Sequence, residues 1–290
     1  MTSRREFLVH TSLAVAAASF ARMTIANPLG KPVGIQLYTV NEPMKTDPAG
    51  TLKQLKAIGY GEVETAGFGD LSAKQFRKLL DDAGLACPSA HLTFDPKNLN
   101  AAFDDTHALG ATYATSSSLH DLVIGKDVKR DMTRDDAKRT AELANKIGEA
   151  AKKAGVQYAY HNHEGEFVGV GDGLVAYDIL LAETDATLVK FEIDCGWMTF
   201  GGRNPVDYFN REENRFPMIH VKDYERRAPG DTDMRGTELG RGVVDYKAIF
   251  AAAKKAGLKH YFAEQEGPFS RMSQLEAARV DYAFLHGLNV

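Results

Sequence analysis

The stretch AAKKAGVQYAYHNH, residues 150–163, runs from a helix end through a glycine into a short β-prone segment that finishes on polar residues. Gly155 falls where a helix C-cap wants a left-handed residue. The run after it reads as a strand buried on both faces, as in a parallel sheet. Upstream, Thr133 and Asp136 have the spacing of a capping box. Ala137, Ala141, Ala144, Ile147 and Ala151 then repeat every three or four residues along one face. The same phrase of helix, glycine and strand returns at LKAIGYGEVET (55–65), LLDDAGLACPSAHL (79–92), HALGATYATS (107–116) and AAAKKAGLKHYFAE (251–264).

Filling the gaps gives eight strand candidates, near 33–38, 61–65, 86–91, 111–115, 156–161, 188–194, 217–221 and 259–264. Helical segments separate them, the weakest near 173–183 and 204–214. Strict alternation argues for parallel strands with right-handed crossovers. Eight such units fit a closed (β/α)8 TIM barrel over residues 27–290, a single domain. A doubly wound open sheet is the alternative. It lacks a Gly-rich phosphate turn, because Gly34-Ile35-Gln36 lies inside the first strand and not after it.

In a parallel barrel the chemistry sits where the strands end. The fifth candidate ends in His161-Asn162-His163, the sixth in Glu192-Ile193-Asp194-Cys195, the seventh in His220-Val221-Lys222-Asp223 and the eighth in Glu264-Gln265-Glu266. Four consecutive strands thus present imidazole or carboxylate at one mouth. His161, Asp194, His220 and Glu264 are the candidate metal ligands. Mixed nitrogen and oxygen donors suit Mn²⁺, Co²⁺ or Zn²⁺ better than Ca²⁺. Each also has a plain structural alternative. His161, His163 and His220 can be hydrogen-bonded core residues, Asp194 a helix N-cap, and Glu264 a partner for Lys222.

The 290 residues are 44% hydrophobic and 26% charged with a formal net charge of −4, an ordinary globular composition without the basic face a nucleic-acid binder needs. Two cysteines, Cys87 and Cys195, make no disulfide framework. Residues 1–26 read as an export signal: Arg4 and Arg5, an apolar run from Phe7 to Ala18 and small residues after it. That run is too short for a comfortable membrane span. The arginine pair with Phe7 and Leu8 resembles a twin-arginine signal, which implies the matching export machinery as a partner and a periplasmic location. The segments 119–133 and 225–242 stand as lids or as contacts in a homo-oligomer.

HNHEGEF (161–167), EIDCGW (192–197), HVKD (220–223), GRGVVDY (240–246) and AEQE (263–266) together resemble the xylose-isomerase-like TIM-barrel superfamily, over about residues 33–288. The resemblance implies one divalent metal (Mn, Co, Zn or Mg) held at the ends of strands five to eight by Glu, Asp, His and Glu. Asp194, His220 and Glu264 match, whereas His161 stands where Glu is usual and His163 or Glu166 is an alternative. It implies a carbohydrate substrate and proton transfer next to a carbonyl, giving an isomerase or epimerase. The same residues serve a lyase that eliminates from a 3-keto-glycoside or dehydrates a keto-inositol, and a silent sugar-binding barrel is the non-enzymatic alternative. Glu264, Glu166, Glu266 and Lys222 are the catalytic candidates, Lys222 either stabilising an oxyanion or pairing with Asp223. His163, His91, Glu64, Trp197 and Arg241 are the substrate-binding candidates. Arg241 lies between two glycines in what reads as a tight turn.

Overall fold

The structure is a computed structural model that describes residues 27–117, 119–128, 130–226 and 233–290. The expected export signal lies outside the described residues. Among the described residues ten strands occur in chain order: β1 (Gly34–Gln36), β2 (Glu62–Ala66), β3 (Ala86–His91), β4 (Tyr113–Ser116), β5 (Gln157–His161), β6 (Val189–Asp194), β7 (Met218–Val221), β8 (Asp223–Glu225), β9 (Arg235–Thr237) and β10 (His260–Ala263). All but β8 and β9 close into a parallel barrel of order β1-β10-β7-β6-β5-β4-β3-β2, the (β/α)8 architecture that the alternation implied. The open-sheet alternative is excluded by that closure. Among the described residues no helix is long and apolar enough to cross a membrane.

Period two decides what each strand puts inside. On β5, Tyr158 and Tyr160 join the large core between barrel and helices, while Ala159 packs with Tyr113, Met218 and Phe262 inside the barrel. On β6, Val189, Phe191 and Ile193 face that outer core, which leaves Lys190, Glu192 and Asp194 for the interior. The observed strands lie within two residues of those expected. The first is short because the Gln36 side chain accepts a hydrogen bond from Tyr38 N at 3.1 Å, turning the chain into a 3-10 segment, Leu37–Val40.

The long helix Arg134–Ala154 shows the capping box read from sequence: Thr133 N donates to Asp136 Oδ2 at 2.9 Å and Asp136 N to Thr133 Oγ1 at 3.2 Å. Its alanine stripe is buried, and Gly155 ends it at φ +76°. The stretch 225–242, expected as a lid or a contact between subunits, contributes to an antiparallel ribbon of β8 and β9.

One buried group makes the fold pH-sensitive away from the barrel mouth. Asp281, on the helix Gln274–Gly287, accepts a hydrogen bond from Leu239 N at 2.8 Å through Oδ1, while Oδ2 has no partner. Burial, helped by Glu238 and Asp223, pushes its carboxyl up to about 7. The folded state therefore keeps this proton where the unfolded chain has lost it, so stability falls as pH rises from the ordinary carboxylate range to about 7. An Asp281→Asn variant is expected to gain on the wild type in urea midpoint steadily between pH 4 and pH 8. A difference between the two that stays constant from pH 4 to pH 8 would show that the carboxyl is not protonated in the fold.

Candidate active site at the mouth of the barrel

Three neighbouring strands bring the central side chains together by register. His161 lies opposite Glu192 across β5 and β6, and Asp194 lies opposite His220 across β6 and β7. His220 is the hub. Its Nε2 is 2.7 Å from Glu64 Oε2 and 3.2 Å from Glu192 Oε2, and its Nδ1 is 2.8 Å from Glu264 Oε2. His161 Nδ1 is 3.0 Å from Glu192 Oε2. All of these groups are buried.

Lys222 follows β7 and turns inward, its backbone tied to the Tyr246 hydroxyl at 2.6 Å. Its ammonium is 2.9 Å from Asp194 Oδ2, 3.0 Å from Glu264 Oε2 and 2.5 Å from Glu266 Oε1. Gly196 permits that approach, since a Cβ there would stand 2.5 Å from the Lys222 carbonyl oxygen. Lys222 does not pair with Asp223. The Asp223 carboxylate points the other way and accepts hydrogen bonds from Gly240 N, Gly242 N and Val244 N at 2.9 to 3.2 Å. The glycine-flanked turn thus cradles a carboxylate of its own chain. Arg241, expected to reach the substrate from that turn, is directed to Glu238 at 3.5 Å and does not line the cavity.

Charge states follow from burial and neighbours. Burial, with His220 and the other nearby cations, holds His161 well below the usual imidazole range, leaving it neutral and able to ligate. Burial and then Lys222 bring His163 down to about 3. Burial alone would also strip the His220 proton, but Glu192 and Glu264 raise it well above the ordinary value in the metal-free chain. Against burial, His220 holds Glu64 low, and Lys222 with His220 holds Glu264 low. Burial and the Glu64 charge push Glu192 up.

The donor chemistry fits a divalent ion. One atom each of His161, Asp194 and His220 lie mutually within 4.8 Å, and Glu64, His91, Glu192 and His220 form a second such group sharing His220. Glu192 Oε1 is buried without a hydrogen-bond partner, and Asp194 Oδ2 makes no hydrogen bond although Lys222 stands beside it as a counter-charge. Five carboxyl groups (Glu64, Glu192, Asp194, Glu264, Glu266) gather here around the Lys222 ammonium and the His220 ring, an excess of acid that a dication offsets. Asp194 serves both readings made of it: Oδ1 caps the next helix through Trp197 N at 2.8 Å, and Oδ2 faces the cluster.

Above the cluster lies a cavity of about 580 Å³, lined by His91, His161, His163, Glu264 and Glu266 on one side and by Tyr38 and Phe68 on another. Glu64 lies below it, held by Gln36 Nε2 at 2.6 Å and Ser89 Oγ at 2.5 Å, and so supports His220 from beneath. Glu166 is buried at the turn after β5, where it accepts from Tyr160 OH at 2.6 Å and His163 N at 3.0 Å. It shapes the His163 turn and lines a neighbouring cavity. Trp197 touches Glu266 through Nε1 at 3.4 Å and Lys222 lies over its ring at 5.0 Å. Glu192, Gln36, Ser89, Tyr38 and Phe68 are not among the candidates that the sequence marks. For Glu192 the signal was present, since residues two apart on a strand share a face with Asp194.

A closed parallel barrel with a buried imidazole–carboxylate cluster at the carboxyl ends of β5, β6, β7 and β10 defines a metalloenzyme-like class of TIM barrel. The chain belongs to the xylose isomerase-like TIM barrel family, whose profile matches residues 52–278. It is 28% identical over 234 residues to an inosose dehydratase of Lacticaseibacillus casei, covering 71% of this chain and 77% of that one. An inosose dehydratase of Clostridium beijerinckii is 27% identical over 226 residues, covering 69% and 75%. The crystal structure of a sugar phosphate isomerase/epimerase from Parabacteroides distasonis superposes with a TM-score of 0.75 at 27% identity, covering 94% of this chain and 98% of that one.

Proposed function

We propose that this chain is a divalent-metal-dependent enzyme that removes a proton next to a carbonyl in a carbohydrate or cyclitol, with isomerisation or epimerisation as the outcome. The observation that carries this reading is the convergence of His161, Asp194 and His220 beneath a cavity whose wall also holds Glu264 and Glu266. His161, Asp194, His220 and Glu264 would hold the ion, which when bound supplies Lewis-acid polarisation of a carbonyl. Glu266, on the cavity wall, takes the proton from the adjacent carbon, and Glu264 stands beside it as a second base. The Lys222 ammonium, held beside Asp194, Glu264 and Glu266, is assigned the negative charge that develops on the substrate oxygen. His163, kept neutral, hydrogen-bonds a hydroxyl, and the rings of Tyr38 and Phe68 offer faces for the sugar ring. Return of the proton to the neighbouring carbon isomerises the substrate; return to the opposite face epimerises it.

The inosose dehydratase relatives support a second outcome from the same first half. After the proton leaves, the C–O bond on the next carbon breaks and the departing hydroxide takes a proton to become water. The proposed setting is the periplasm, on the Arg4-Arg5 signal.

The test is deuterium incorporation in D₂O by metal-loaded protein over a panel of ketoses and keto-inositols. Wild type is expected to exchange the proton next to the carbonyl at least about 10²-fold faster than Glu266→Gln. Product mass separates the outcomes, since dehydration loses water and isomerisation does not. A metal-bound chain that exchanges no proton with any member of the panel sinks the reading.

A further inference from the structure

The two imidazoles of the proposed ligand set each have a buried carboxylate behind them that is not itself in that set. His220 stands between two pairs of carboxylates. Its Nδ1 faces Glu264 Oε2 at 2.8 Å and Asp194 Oδ2 at 4.0 Å, both from the ligand set. Its Nε2 faces Glu64 Oε2 at 2.7 Å and Glu192 Oε2 at 3.2 Å, neither of which lines the cavity. Turning the ring over would set carbon against the nearest oxygen on each side, so the contacts fix its orientation. His161 is turned the other way. Its Nδ1 lies 3.0 Å from Glu192 Oε2, which leaves Nε2 as the ring nitrogen for an ion.

Glu64 is held in place by more than His220. Its Oε1 accepts from Ser89 Oγ at 2.5 Å, and its Oε2 accepts from Gln36 Nε2 at 2.6 Å. Ser89 Oγ lies 2.9 Å from Thr115 Oγ1, so side chains of β1, β2, β3 and β4 together brace this one carboxylate. Taking up an ion would break one of those bonds, whereas accepting an imidazole N–H completes them. Glu192 meets both rings through Oε2, and its Oε1 is buried without a hydrogen-bond partner.

We propose that Glu64 and Glu192 are positioning residues that fix opposite tautomers in the two ligand histidines: His220 keeps its proton on Nε2 and offers Nδ1, whereas His161 keeps its proton on Nδ1 and offers Nε2. The group of Glu64, His91, Glu192 and His220 is then a supporting layer and not a second metal site. An imidazole whose remote N–H is held by a carboxylate has one ring orientation and is a more basic ligand. The proposal rests on the reading of His161, Asp194, His220 and Glu264 as the ion's ligands. It adds which nitrogen each ring presents and what sets it.

The test uses zinc as the probe ion on ¹⁵N-labelled protein. Long-range proton–nitrogen correlation spectra distinguish rings bound through Nδ1 from rings bound through Nε2. Of the nine histidines, two are expected to become zinc-bound, one through each nitrogen, at one zinc per chain. Glu64→Gln should keep that stoichiometry, weaken zinc by about 10–100-fold in competition with a chelator, and disturb the Nδ1-bound ring. Glu192→Gln should weaken zinc to a similar degree and disturb the Nε2-bound ring most. Variants that melt earlier but keep wild-type zinc affinity and ring patterns reduce both carboxylates to a structural role and overturn the proposal. Both rings bound through the same nitrogen overturns it while the ligand reading stands. Two zincs per chain, cut to one by Glu64→Gln, overturns it by making Glu64 a ligand. A chain that takes up no zinc overturns it together with the ligand reading.

Discussion

Replacing His220 by alanine is expected to leave less than about a tenth of the divalent ion that the wild type holds, as read by elemental analysis of protein purified without chelator. His220 belongs to both groups of converging donor atoms, so no ion position in the cluster survives its loss intact. The variant also leaves Glu64 and Glu264 buried without the cation that both contact. Removing one partner from such a buried pair costs about 3–5 kcal/mol. Saturating metal should stabilise the wild type by about 2.7 kcal/mol at a hundredfold excess over Kd and the variant by almost nothing. Asp194→Asn, which keeps the helix cap through its amide oxygen, is the companion. It should lose metal while melting near the wild-type metal-free temperature. A His220→Ala chain with full metal content would place the ion elsewhere.

Lys222→Met should separate the metal-free and metal-loaded forms. The ammonium is buried among Asp194, Glu264 and Glu266 at 2.5 to 3.0 Å, and those carboxylates raise its proton affinity against the pull of burial. Without it, the metal-free chain holds uncompensated buried charge and is expected to lose about 3 kcal/mol. A divalent ion near Asp194 and Glu264 returns part of the missing charge, so the loss should shrink when metal is bound. The metal-induced rise in Tm is then larger in the variant than in the wild type. Under the proposed reaction turnover should still fall by about 10²–10³-fold, because the ion would not replace the donor assigned to the developing oxyanion. Equal destabilisation with and without metal would show that Lys222 and the ion do not share these carboxylates.

Both variants act at residues that sequence alone marks, and the reason those positions stand out is local. Ala137 through Ala151, the Gly155 cap and the run into His161 are set by helix period, capping and β-propensity within a few residues of chain. Repetition of the unit then required a parallel sheet. The rule that polar residues gather at strand ends in such a sheet put His161, Asp194, His220 and Glu264 at one mouth before any contact was known.

What failed to appear depends on direction and distance across the barrel. Arg241 looked free to reach inward because a sequence shows a turn and not the Asp223 carboxylate that holds it or the Glu238 that takes the guanidinium. Glu166 looked like an acid at the mouth, but Tyr160 and the His163 amide occupy it. Glu64 was read as pocket lining, yet it lies beneath His220, 156 residues away in sequence.

The sequence by itself determined the repeating βα unit, the closed barrel and the strand ends that carry imidazole and carboxylate, because these follow from period, caps and alternation along neighbouring residues. Only the tertiary structure decided that His220 is the hub, that Glu192 and Glu64 share its proton network, that Lys222 turns inward, and that Trp197 stands against Glu266 and Lys222. Those facts depend on register between strands and on which side chains meet inside a closed barrel, where one residue's burial sets another's charge.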